Sequence, residues 1–153
     1  MNIIFLDIDG VVRIEFDESD GWQFCPQRID ELKRFCLEHD FKIVMSSDWR
    51  YSNTFFSRID LDPLTKPLEG LFHKDWRTTI YKDVGGIVSE NCLRWVEVQK
   101  WLDEHDVERY LILEDFPELF QGCPEEMELR IILCEDSKGL SKENFSQMKN
   151  LLI

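Results

Sequence analysis

The sequence predicts an α/β protein built on an open, mainly parallel sheet with helices on both faces. Three observations predict it. Short apolar runs rich in β-favouring residues recur at residues 3–8, 41–45, 110–113 and 130–133. Stretches with helical spacing of apolar residues alternate with them. Three of the runs end abruptly in acids or hydroxyls, at Asp7/Asp9, Ser46/Ser47 and Glu114/Asp115.

Ile3-Ile4-Phe5-Leu6-Asp7-Ile8 reads as a buried strand that ends where the aspartates begin. Residues 11–24 hold β-branched and aromatic positions around Asp17-Glu18-Ser19-Asp20-Gly21, a turn composition, and predict a small hairpin, or flap. Pro26 suits a first helical turn, and Ile29, Leu32, Phe35, Cys36 and Leu37 follow at helical spacing up to His39-Asp40. Phe41–Met45 is a second buried strand, completing a βαβ unit whose crossover is expected to be right-handed.

Residues 49–60 suggest a helix through Trp49, Phe55, Phe56 and Ile59. Pro63, Pro67, Gly70, Gly85 and Gly86 then punctuate a stretch with no clean period. From Arg94, the positions Trp95, Val98, Trp101 and Leu102 give another amphipathic helix, followed by a strand at Tyr110–Leu113. Arg130–Leu133 is a further short strand, and Ser141 opens a terminal helix carrying Phe145, Met148, Leu151 and Leu152. Residues 1–153 are expected to form a single domain, with residues 51–93 as room for a small insertion.

At 43% hydrophobic and 32% charged residues the composition is globular, not disordered. The N-terminus carries no signal-like segment and no apolar run approaches a membrane span, so a cytoplasmic protein without membrane contact is expected. Cys25, Cys36, Cys92, Cys123 and Cys134 form an odd set without a C-x-x-C pair, which suggests neither a disulfide framework nor a zinc site. A net charge of −13 opposes a broad grip on nucleic acid, so a polyanionic partner needs a local basic patch.

In an open parallel sheet, ligands bind beyond the carboxyl ends of the strands, where the three polar strand ends converge. Asp7 and Asp9 lie two apart and share a side, and Gly10 lets the chain turn away. Neighbouring carboxylates repel unless a cation lies between them; Mg²⁺ fits oxygen ligands and bridges to phosphate, with a third carboxylate from Glu114/Asp115. A calcium loop is excluded, because taking Gly10 as its glycine puts Phe5 and Phe16 at ligand positions. An ordinary Asx turn at Asp7-x-Asp9 and a helix cap at Ser46-Ser47 are the plain alternatives.

Phe5-Leu6-Asp7-Ile8-Asp9-Gly10-Val11-Val12 resembles the first motif of the haloacid dehalogenase (HAD) superfamily. Ile43-Val44-Met45-Ser46-Ser47-Asp48-Trp49-Arg50 is similar to the strand and Ser-Ser-x-Trp-Arg signature of HAD domains associated with RNA repair. The stretches 94–102, 111–115 and 136–140 extend the likeness over nearly the whole chain except about 55–91. The resemblance implies a HAD-like, Rossmann-like fold with a flap after the first strand and a small or absent cap.

It also implies roles. Asp7 becomes the nucleophile and Asp9 the general acid/base. Ser46, Ser47 and Arg94 bind the substrate phosphate. Asp7, Asp9 and Asp115 hold Mg²⁺, with Glu114 as second choice. The implied reaction is Mg²⁺-dependent phosphomonoester hydrolysis through an aspartyl-phosphate. An open site suits a large substrate such as a nucleic-acid end, with no obligate protein partner. The alternatives are a phosphatase of small metabolites or nucleotides, and a catalytically degenerate HAD interaction module.

Two departures stand out. Glu114-Asp115 replaces the more usual Asp-Asp, and Arg94 stands where lysine is common, with Lys100 and Lys82 as substitutes. Arg94 has a plain reading too, as a surface partner of Glu97 or Glu90. Arg13 and Arg50 are either surface cations or substrate contacts. His39, His73 and His105 lack metal spacing, and the five tryptophans read first as core.

Overall fold

In the computed structural model, residues 1–16, 21–80 and 93–153 are described. The first apolar run forms β1 (Asn2–Leu6), the central strand of a five-stranded sheet. After β1 the chain makes a hairpin of β2 (Arg13–Glu15) and β3 (Trp22–Phe24), the expected flap. The tip residues Asp17–Asp20 lie outside the described residues.

Helix α1 (Pro26–His39) follows and ends at Asp40, whose left-handed φ of 56° stops the helix. β4 (Phe41–Met45) then pairs parallel with β1. On the other side of β1 lies β6 (Arg109–Glu114), also parallel and flanked by β7 (Ile131–Leu133). Outside β4 runs β5 (Phe72–Arg77), giving the order β5-β4-β1-β6-β7 with every pair parallel. This is the α/β, HAD-like sheet expected.

Strand alternation divides the core. Ile4, Leu6, Ile43, Met45, Leu111 and Leu113 face α1, the short α2 (Asp62–Thr65) and the terminal α5 (Lys142–Asn150). Ile3, Phe5, Val44 and Ile112 face α3 (Arg94–Asp103) and the single turn α4 (Glu125–Glu128). On α3, Val98 and Trp101 fill that second layer, with the Trp101 ring edge-on to Phe5 at 5.5 Å. Among the described residues no helix is long and apolar enough to cross a membrane.

The middle of the chain departs from expectation. Residues 49–60 form 3-10 turns at Asp48–Tyr51, Phe55–Ser57 and Ile59–Leu61 instead of one helix. Ser52, Thr54 and Ser57 bond locally, Ser52 to the Thr54 hydroxyl and Ser57 to the Thr54 carbonyl, and so compete with the helical ladder. β5 carried no apolar-run signal because Phe72-His-Lys-Asp-Trp-Arg77 is an edge strand only half buried. Phe55, Leu61, Leu64, Leu68 and Leu71 from this stretch join the α1-side core.

The cysteines within the described residues are free thiols, and Cys92 lies outside them. Of the tryptophans, Trp101 is buried and Trp22 on the flap is the exposed one, at 38%.

Candidate active site

The sheet register builds the site. Leu6 is paired with Met45 on one side and with Leu113 on the other. The ladder runs one step further, since the Asp7 amide donates to the Leu113 carbonyl at 3.1 Å and the Ser46 amide to the Leu6 carbonyl at 3.0 Å. Asp7 therefore stands between Ser46 and Glu114. Each also continues the alternation that faces α3: Ile3-Phe5-Asp7, Val44-Ser46 and Ile112-Glu114. Arg94, the first residue of α3, meets them there.

Arg94 Nη1 lies 3.6 Å from both Asp7 Oδ1 and Glu114 Oε2, while its Nη2 donates to Asp48 Oδ1 at 2.9 Å. The plain reading of Arg94 as a partner of Glu97 is replaced by this set. Lys100 is at the far end of α3 on Glu104, and Lys82 lies outside the described residues. Ser46 is fully buried, and its hydroxyl has no hydrogen-bond partner among the described residues. An unpaired buried hydroxyl is costly unless a ligand completes it.

Asp7, Glu114 and Asp115 each present a carboxylate oxygen within 4.8 Å of the others. Burial raises the Asp7 pKa far above the usual carboxylate range, and the neighbouring Glu114 adds to this; Arg94 only partly offsets it. Glu114 is raised as well, by burial first, with Asp7 and Arg94 opposing. Glu114 Oε2 accepts no hydrogen bond among the described residues. A crowded, all-oxygen acid trio, with Asp7 and Glu114 buried and Asp115 partly so, fits a hard divalent cation such as Mg²⁺. Glu114 and Asp115 both reach the cluster, although Asp115 was the sequence's first choice.

Gly10 makes room for that trio. Its φ of +81° turns the chain, and a Cβ there would fall onto the Asp115 carboxylate. The same turn, with the Val12 and Arg13 amides on the Ile8 carbonyl, carries Asp9 towards the flap. The Asp9 carboxylate, expected among the metal ligands, is not in the acid trio. Its Oδ1 accepts from Arg13 Nη1 at 2.7 Å and its Oδ2 from Trp49 Nε1 at 3.1 Å. Ser47 takes the capping role, its hydroxyl accepting from the Trp49 amide at 3.2 Å.

Sequence reasoning left Arg50 between two readings and named Glu97 only as a surface partner of Arg94, missing the pair that Arg50 and Glu97 form. Arg50 is fully buried, bonds Glu97 Oε2 at 2.6 Å and donates to the Ser47 carbonyl at 2.9 Å. Together with the Arg94–Asp48 bond, this ties the loop after β4 to the start of α3. The available signal was that Arg94 and Glu97 are spaced to share one helix face.

The parallel sheet, the flap and the polar strand ends define a HAD-like α/β domain. A family model described as the HAD domain in Swiss Army Knife RNA repair proteins matches residues 3–145, and the chain belongs to that family. Membership carries a HAD-type, phosphatase-like role. Searches of curated proteins and of solved structures return no match.

Proposed function

We propose that the chain hydrolyses phosphomonoesters with Asp7 as nucleophile, acting as one domain on a phosphorylated nucleic-acid end. The observation that carries this reading is Asp7 flanked in register by Glu114 and by the Ser46 hydroxyl, which has no hydrogen-bond partner among the described residues, with Arg94 facing them. An Asp7 oxygen attacks phosphorus as the bond to the leaving oxygen breaks, and Asp9 delivers a proton to that oxygen. Water then attacks the aspartyl-phosphate, Asp9 takes its proton, and orthophosphate departs from Asp7. Arg94 and the Ser46 hydroxyl stabilise charge on the transferring oxygens. Asp7, Glu114 and Asp115 would hold Mg²⁺, which supplies charge neutralisation to the phosphoryl group.

The choice of a nucleic-acid end rests on the family's description as a domain of RNA repair proteins. A second reading, a phosphatase of small metabolites or nucleotides, draws on the −13 charge and on Arg13, Arg50, Arg58 and Arg94 each being paired with a carboxylate. A degenerate interaction module is disfavoured, since burying Asp7 beside Glu114 is costly and a decayed site has no reason to keep the pair. The test is orthophosphate release with Mg²⁺ from phosphorylated oligonucleotides, nucleotides and sugar phosphates, beside Asp7→Asn. Oligonucleotide turnover abolished by Asp7→Asn is expected; undiminished turnover in that variant would sink the mechanism.

A further inference from the structure

Asp9, which the proposed reaction makes the proton donor to the leaving oxygen, accepts a hydrogen bond on each carboxylate oxygen. Arg13 holds one and the Trp49 indole the other. Each oxygen keeps a second lone pair, but the two bonds hold the carboxylate towards the flap, so one of them has to open for Asp9 to turn to a leaving oxygen. The Arg13 bond is the one that can be exchanged, because Arg13 and Asp9 side chains are 24% and 43% exposed. A partly exposed pair leaves the guanidinium within reach of an anion from solvent, which competes with Asp9 for it.

The surroundings of Arg13 say which anion. Its guanidinium carbon lies 5.3 Å from the centre of the Trp49 ring, 5.8 Å from Trp22 and 5.9 Å from Phe24. Trp22 is exposed on the flap. Arg58 lies 5.0 Å from the same Trp49 ring. A cation among aromatic rings suits a ligand that joins an anion to an aromatic base.

We propose that Arg13, with Trp22 and Trp49, forms the leaving-group subsite, and that it reads a second anion one nucleotide away from the phosphate being removed. The inference rests on the hydrolytic reading above and deepens it. A phosphodiester takes Arg13 from Asp9, and the freed Asp9 oxygen turns to the leaving oxygen. Substrates with a single phosphate leave Arg13 on Asp9. Arg13 thus selects polynucleotide ends over nucleoside monophosphates and sugar phosphates, and positions Asp9 only when such an end is bound.

The test pairs binding with turnover. In EDTA, where no hydrolysis is required, a dinucleotide bearing a terminal phosphate is titrated against tryptophan fluorescence. The wild-type chain is expected to give a saturable change that Trp22→Phe diminishes, with affinity about tenfold weaker in Arg13→Gln and partly restored in Arg13→Lys. With Mg²⁺, kcat/KM for that dinucleotide should exceed that for the nucleoside monophosphate by about tenfold, the ratio falling near one in Arg13→Gln. Circular dichroism of each variant separates misfolding from lost recognition. Equal affinity of wild type and Arg13→Gln, or an unchanged ratio, overturns the subsite while leaving Asp7 chemistry intact. Absence of turnover on every substrate instead removes the hydrolytic reading, and the binding arm still decides the role of Arg13.

Discussion

Gly10 shows how narrowly one residue defines the site. At φ +81° it adopts a conformation that side chains resist, and the Asp115 carboxylate occupies the space a Cβ would need. Gly10→Ala should cost about 1–3 kcal/mol in chemical denaturation and weaken Mg²⁺ binding together with activity, because Asp115 must move. Asp7 presents the opposite case, a residue kept at the expense of stability. Asp7→Asn removes one of the two buried acids of the trio and should raise the melting temperature of the metal-free protein, by roughly 1 kcal/mol in stability, while abolishing turnover. A melting temperature lowered by Asp7→Asn would show that the cluster is not strained. Both aspartates and the glycine were legible in the sequence. The bonds that tie Asp9 to Arg13 and Trp49 were not, because the Trp49 partner lies 40 residues away.

Among the elements, α3 and the loop after β4 act as a pair. Two links cross between them, Arg94 to Asp48 and Glu97 to Arg50, and the second is the more deeply buried. Burial pushes the Glu97 carboxyl up and Arg50 draws it partly back, which marks a charge held in place by its partner. Glu97→Ala leaves the Arg50 guanidinium buried without its acid, and should cost about 3–5 kcal/mol, read as a shifted denaturation midpoint. Replacing both residues by apolar ones of similar size should recover most of that loss in the same measurement. The helical period of α3 was plain in Val98 and Trp101. The buried role of Glu97 on its inner face was not legible, as Arg94 and Glu97 are at the spacing of an ordinary surface pair. β5 was missed for a related reason: an edge strand half open to water needs no apolar run.

At the scale of the whole molecule, the acid trio makes stability depend jointly on pH and metal. Raised pKa values mean that the folded, metal-free chain binds more protons than the unfolded chain above the ordinary values of 3.8 for Asp7 and 4.5 for Glu114. Stability of the metal-free protein from this source is therefore full below about pH 4 and falls as pH rises through neutrality. Mg²⁺ needs the ionised carboxylates, so the rise in melting temperature that it produces should grow with pH across the same range. Thermal scans at several pH values, with EDTA and with Mg²⁺, check this; a metal increment that shrinks as pH rises would contradict it. By itself the sequence determined the alternation of strands and helices, the flap and the residues at the strand ends, because hydrophobic period and turn chemistry are local properties. Only the tertiary structure decided that register sets Asp7 between Ser46 and Glu114, that Arg94 faces them, and that Asp9 rests on the flap arginine. Those relations depend on how distant strands pair and how α3 packs on the face of the sheet, and no local pattern of residues encodes them.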